Sequence, residues 1–154
     1  MSKRLKGKVA LVTDGLRGIG AAIAKRLVAD GAVAITYTKG AEAATSVVTA
    51  IKQAGGKAIA VQADATAADQ VTAAVDKTVA ALGKLGVFAN NASTAIPKKF
   101  EETTIEELDR VVDINLRGAF IATQAALKHM NGGGRIILIG SCVGERMITP
   151  GLVA

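Results

Sequence analysis

Residues 8–31 read KVALVTDGLRGIGAAIAKRLVADG, and this stretch decides the fold. Its first part, Lys8–Thr13, is a short unbroken apolar run followed by a turn, the pattern of a buried strand. From Gly18 to Asp30 the apolar residues fall at Ile19, Ala22, Ile23 and Leu27, the spacing of one helical face. Gly31 closes that helix, as a glycine just past a C-terminus commonly does. Between strand and helix lies Thr13-Asp14-Gly15-Leu16-Arg17-Gly18-Ile19-Gly20. Glycines in such a turn let backbone N–H groups approach a pyrophosphate, and the helix N-terminus adds favourable partial charge. Glycine-rich turns serve many folds, so it is the position between a predicted strand and a predicted helix that gives this one weight.

The alternation continues outward. Val33–Thr38 reads as a second strand, Ala41–Ala54 as a helix stopped by Gly55-Gly56, and Lys57–Gln62 as a third strand. A third helix spans Ala67–Leu82 and ends at Gly83, and a fourth strand spans Leu85–Asn90. Ser93–Glu102 is a loop. Thr103-Thr104-Ile105-Glu106 has the form of a capping box, and the helix it opens is expected to run to about Met130. Asn131-Gly132-Gly133-Gly134 breaks it, and Arg135–Gly140 is the fifth strand. Nearly continuous apolar strands alternating with helices imply a parallel sheet covered on both faces. Right-handed crossovers then give an α/β fold, a doubly wound parallel sheet that is Rossmann-like. In such sheets ligands sit beyond the carboxyl ends of the strands, so the residues just after each strand matter most.

Composition narrows the function classes. Half of the 154 residues are hydrophobic, mostly Ala, Val, Ile and Leu, and only Tyr37, Phe88, Phe100 and Phe120 are aromatic. Small side chains favour close packing of helices on a sheet, and so few aromatics do not suit a reader that stacks bases on aromatic platforms. The net charge of +6 is compatible with a phosphate-rich small ligand, while no helix carries the basic stripe of a nucleic-acid binder. No nucleic-acid partner is therefore expected. No run of ~20 apolar residues could span a bilayer, so no membrane partner is expected either. Cys142 is the single cysteine, so no internal disulfide forms, and a reducing, cytoplasmic address is the expectation.

The residues that follow the strands carry the chemistry. After the fourth strand comes Asn90-Asn91-Ala92-Ser93, within the long helix lies Asp113-Ile114-Asn115-Leu116, and after the fifth strand comes Gly140-Ser141-Cys142. The ordered set of glycine turn, NNA motif, helix asparagine and post-strand serine resembles the short-chain dehydrogenase/reductase family, in particular its 3-oxoacyl-carrier-protein-reductase-like members. The resemblance covers essentially the whole chain. It implies an oxidoreductase that transfers a hydride between NADP(H) and a small-molecule carbonyl or alcohol, and a homo-oligomer. It implies that Asp14, Gly15, Leu16, Arg17, Gly18 and Ile19 wrap the cofactor phosphates and ribose. Asp64 and Ala65 would meet the adenine, and Asn90, Asn91 and Ala92 would line the cofactor and brace the sheet. Ser141 and Asn115 match two of the family's catalytic residues. The serine would hold the substrate oxygen, and the asparagine a water of the proton relay. An NAD enzyme usually carries an acid at the end of the second strand. Here that region reads Tyr37-Thr38-Lys39, so Thr38 and Lys39, with Arg17, point to NADP rather than NAD.

The chain departs from the family pattern at particular places. Asp14 stands where the first glycine is usual, Leu16 where a small or hydroxylated residue is common, Ser93 where a glycine ends the motif, and Gly86 where an aspartate is common. The family's tyrosine and the lysine four residues beyond it are expected immediately after Ala154, and no Tyr-x-x-x-Lys occurs in the sequence. The expectation is a single NAD(P)-binding domain over 1–154, truncated after the fifth strand, with the C-terminal part of the family fold absent and the chain as given inactive. Such a chain would expose its fifth strand as an open edge and associate or dissolve poorly.

Plainer readings stand beside these. Ser141 on residue type alone could simply end a strand, and Cys142 reads as a buried or inert thiol. His129 reads as a surface residue near a helix C-terminus, where a cation is tolerated. Asn115 is unfavourable in mid-helix by propensity, which favours a role.

Overall fold

The computed structural model describes residue 5, residues 7–28, 31–130 and 132–142, and the backbone of residues 152 and 153. In chain order its elements are β1 (Val9–Val12), α1 (Gly18–Leu27), β2 (Ala32–Tyr37), α2 (Ala41–Gln53), β3 (Lys57–Gln62), α3 (Ala68–Leu82) and β4 (Leu85–Asn90). There follow β5 (Ile96–Pro97), a 3-10 turn (Phe100–Glu102), α4 (Ile105–Val112), a π-helical turn (Asp113–Gly118), α5 (Ala119–Lys128), β6 (Arg135–Leu138) and β7 (Leu152–Val153). β1, β2, β3, β4 and β6 form one sheet in the order β3-β2-β1-β4-β6, with every pairing parallel. This is the expected doubly wound α/β sheet.

The alternation of side chains across the strands explains why both faces are covered. Ala10, Val12, Val33, Ile35, Val87 and Ala89 pack on one face against Ala21 and Ala24 of α1 and Val47, Val48 and Ile51 of α2. Val9, Leu11, Ala32, Ala34, Leu85 and Phe88 pack on the other against Val71 and Val75 of α3 and Ala122, Ala125 and Ala126 of α5. Alternate residues point to opposite faces of a strand, so an unbroken apolar run serves both layers at once. Ala24, Ala44 and Ala126 have no exposed surface, and such small contacts let the helices lie close on the sheet. The chain runs outward from β1 to β3 and then returns through α3 to β4. The order therefore reverses between β1 and β4, and a crevice opens at their carboxyl ends.

Three local expectations are corrected. Within the predicted loop, Ile96–Pro97 pairs antiparallel with Leu152–Val153, a contact that no short-range signal announces. The capping box is one residue later than its expected Thr103–Glu106 position. Thr104 Oγ1 accepts from the Glu107 backbone N–H at 3.2 Å, while the Glu107 carboxylate accepts from the Thr104 N–H at 2.9 Å. The two overlapping T-x-x-E frames share one pattern, and the frame chosen lets Glu107 also receive Lys98 at 3.1 Å. Thr104→Ala is expected to cost about 1 kcal/mol, read as a lower urea midpoint at unchanged slope; Thr104→Ser should leave the midpoint in place. The long helix, finally, is not uniform. A π-helical turn interrupts it between α4 and α5.

Candidate functional site

A cleft of about 540 Å³ lies at the carboxyl ends of β1 to β4. Nine of the residues expected to bind a cofactor line it: Asp14, Leu16, Arg17, Thr38, Lys39, Asp64, Ala65, Asn90 and Ala92. Gly15, Gly18, Ile19 and Asn91 do not line it. Gly15 donates its backbone N–H to the Thr36 carbonyl at 3.1 Å, tying the turn to the end of β2. Ile19 is largely exposed. Asn115 and Ser141 also lie outside the cleft lining.

The turn after β1 is held by a hydrogen-bond hub that composition could not reveal. The buried Thr13 hydroxyl donates to Asn90 Oδ1 at 3.3 Å and accepts the Asn91 and Ala92 backbone N–H groups at 2.9 Å each. A hydroxyl has one donor and two acceptor sites, so all three are used. Asn91 Nδ2 reaches back to the carbonyls of Thr13 and Asp14, both at 3.1 Å. Gly20 lies directly beneath this strut. A Cβ there would collide with the Asp14 carbonyl oxygen and come within 2.6 Å of Asn91 Nδ2. The second glycine of Gly18-Ile19-Gly20 thus permits the close approach anticipated from the sequence. These bonds tie the end of β1 to Asn90, Asn91 and Ala92 at the end of β4.

The start of α1 is open to an anion. No side chain caps it, and no acid lies in its first turn, so its first backbone N–H groups remain available. Asp14 is the exception nearby. It is the one non-glycine residue at positive φ among those described, with φ of +50°, a conformation that costs most L-residues about 1–2 kcal/mol and Asn or Asp less.

The wall opposite the sheet is built from the interrupted helix. Arg110, Ile114, Gly118 and Ala122 all line the cleft, at intervals of four. In an uninterrupted α-helix each four-residue step drifts by about 40°, so three steps would carry Ala122 far around the helix from Arg110. The wider i→i+5 ring of the π turn winds that drift back and keeps the four residues on one face. Gly118 makes the approach close: a Cβ on it would lie 2.5 Å from the Ala65 carbonyl oxygen. These four were missed from the sequence, although their four-residue spacing was there to be read.

Asn115 sits in the same π turn. Its Oδ1 accepts the Thr94 N–H and its Nδ2 donates to the Thr94 carbonyl, both at 2.9 Å. The amide therefore pins the loop after β4 to the helix. Ser141 follows β6, whose end is tied to β4 by the Ile139 N–H donating to the Asn90 carbonyl at 2.9 Å. Cys142 is exposed rather than buried. His129, at the end of α5, meets Asp76 of α3 at 2.8 Å.

Charge in the cleft is mixed. Hydrogen bonds from the Thr66 backbone and hydroxyl, each 2.9 Å, hold the Asp64 carboxyl below its ordinary value of 3.8, aided by Arg110 and Lys39 and opposed by partial burial. Asp64 is thus an anion at neutral pH. Any stability it contributes is complete above its unfolded pKa and is lost as the pH falls through the lowered folded value. Among the described residues, the side chains of Arg17, Lys39 and Arg110 have no hydrogen bond or ion pair to other protein groups.

The profile of the family described as short chain dehydrogenase matches residues 8–153. The chain is 47% identical over 154 residues to an uncharacterized oxidoreductase of Methylorubrum extorquens, covering 99% of this chain and 62% of that protein. It is 45% identical over 150 residues to a probable tetrahydroxynaphthalene reductase of Zymoseptoria tritici, covering 97% of this chain and 56% of that protein. A short chain dehydrogenase from Burkholderia cenocepacia, solved in complex with NADP, superposes with a TM-score of 0.93 at 47% identity over 96% of this chain and 61% of its own. The chain thus spans about three fifths of the length of these relatives. Sequence profile, fold and the order of the strand-end motifs agree, and the chain belongs to the short chain dehydrogenase family.

Proposed function

We propose that these residues form the cofactor-binding part of an oxidoreductase that moves a hydride between NADP(H) and a small carbonyl or alcohol. The observation that carries this reading is the charge at the end of β2. No acid is available there to take ribose hydroxyls, and Lys39 shares the cleft with Arg17. Two cations free of protein partners suit a 2′-phosphate. The uncapped start of α1 suits the pyrophosphate, and Thr38 and Lys39 stand beside the ribose position. Asp64 and Ala65 take the adenine, and Asn90 and Ala92 the middle of the dinucleotide. A bound nicotinamide would supply the hydride. The described NADP complex of the Burkholderia relative supports the choice of cofactor.

The chain's own residues then have positioning work. Asn115 fixes the Ser93–Thr94 wall, and a substrate oxygen would be held by Ser141. Tyr37 is the single tyrosine and lies in β2, so these 154 residues carry no Tyr-x-x-x-Lys pair. By themselves they are expected to bind cofactor without turning it over, since the missing acid/base step is worth about 10²–10⁴ in rate. A homo-oligomer and a cytoplasmic address belong to the same proposal.

The test is an NADPH and an NADH titration followed by nicotinamide fluorescence, with the intact mass taken in the same session. With no tryptophan and one tyrosine, protein emission scarcely interferes. NADPH is expected to bind about tenfold or more tighter than NADH, the size of one charge-assisted contact. Preference for NADH would overturn the NADP choice, and no binding of either would overturn the cofactor reading.

A further inference from the structure

Arg110 is the one residue of α4 that lines the cleft, and none of the chain's motifs accounts for it. It stands at the head of the wall that continues through Ile114, Gly118 and Ala122. Because Gly118 backs onto the Ala65 carbonyl, this wall faces the loop between β3 and α3. Arg110 therefore overlooks the Asp64 end of the cleft. Its field acts on the Asp64 carboxylate more strongly than that of Lys39, which approaches from β2. Yet it forms none of the ion pairs among the described residues. A guanidinium is planar, weakly hydrated on its faces and well suited to lie on an aromatic ring. The Asp64 carboxylate can accept from an exocyclic amine at the edge of such a ring.

We propose that Arg110 lays its guanidinium plane on the adenine base of the dinucleotide, forming one face of a slot whose edge is read by Asp64. This rests on the dinucleotide reading given above. Arg110 is thus an affinity residue for the base, distinct from Arg17 and Lys39 at the 2′-phosphate.

The test compares three probes by calorimetry on the full chain: adenosine 2′,5′-bisphosphate, 5′-AMP and reduced nicotinamide mononucleotide. Arg110→Ala is expected to weaken both adenosine compounds by a similar factor, about tenfold, and to leave the nicotinamide mononucleotide unchanged. Arg110→Lys keeps the charge and loses the plane, so it should remain weak. A loss confined to the bisphosphate would assign Arg110 to the 2′-phosphate and overturn the proposal. Full recovery with lysine, an equal loss for all three probes, or no loss would also overturn it. Arg110 is exposed, and an unchanged melting temperature confirms that the variants fold. If the unaltered chain binds neither adenosine compound nor NADPH, the cofactor reading itself fails and takes this inference with it.

Discussion

Thr13→Val is expected to destabilise the chain by about 3 kcal/mol although it changes almost no volume. The substitution replaces a hydroxyl by a methyl at a residue that is only 8% exposed. It removes the donor for Asn90 Oδ1 and the acceptor for the Asn91 and Ala92 N–H groups. Each polar group left unsatisfied away from water costs about 1–3 kcal/mol. Asn91 and Ala92 are half-buried, so water at the cleft mouth recovers part of that loss. For a chain of this size about 3 kcal/mol lowers the melting temperature by roughly 10 °C. Thr13→Ser keeps the hydroxyl and should lose no more than about 1 kcal/mol. Thermal melts of the two variants decide the matter. If valine melts with serine, the hub is not what fixes the β1 and β4 ends.

Asp14→Gly is expected to raise NADPH affinity by about 30-fold. Asp14 lines the cleft beside the start of α1, where the proposal seats the pyrophosphate. Two unit charges about 8 Å apart in an effective dielectric of about 20 repel by about 2 kcal/mol, which is roughly 30-fold in binding. The backbone contributes less. Relief of the left-handed conformation at φ of +50° stabilises the folded chain, while the added freedom of glycine in the unfolded chain offsets much of that gain. Asp14→Asn separates the two effects, because asparagine tolerates the same backbone and carries no charge. It should recover most of the affinity. If only glycine recovers it, close backbone approach and not charge is the obstacle; if neither variant binds more tightly, Asp14 does not face the phosphates.

Much of the fold could be read directly from the chain, because its signals are local. The apolar runs of β1, β2 and β4, the helical spacing of α1 and the left-handed glycines Gly55 and Gly83 each act within a few residues. The three strands therefore agree with the structure to within one residue at each end, the scatter usual at element ends. α1, by contrast, closes at Leu27 instead of running to Asp30, and Ala29 and Asp30 lie outside the described residues. Gly31, expected to close α1, instead leaves room for the Lys8 carbonyl beside β1. The departures have physical causes. β5 needs β7, more than fifty residues away, to be a strand at all. The capping box lies one residue later because Thr103 and Thr104 offer overlapping frames; the Thr103 hydroxyl is taken by the Lys99 carbonyl at the start of the preceding 3-10 turn, and Glu107 also meets Lys98.

The candidate site divides in the same way. Asp14, Arg17, Lys39, Asp64 and Asn90 could be gathered from sequence, since the switch-point rule sends residues after parallel strands to one crevice. The sequence by itself thus determined the class of sheet, the order of its motifs and the end of the sheet where they meet. Only the tertiary structure decided what those residues touch. Thr13 finds Asn90 across 77 positions of chain, through the register of two parallel strands. Asn115 commits its amide to Thr94, and Arg110 reaches the cleft because a π turn rewinds one long helix. Periodicity and propensity act over a few residues, whereas a hydrogen-bond partner or a cavity wall is set by how separate elements are laid against each other.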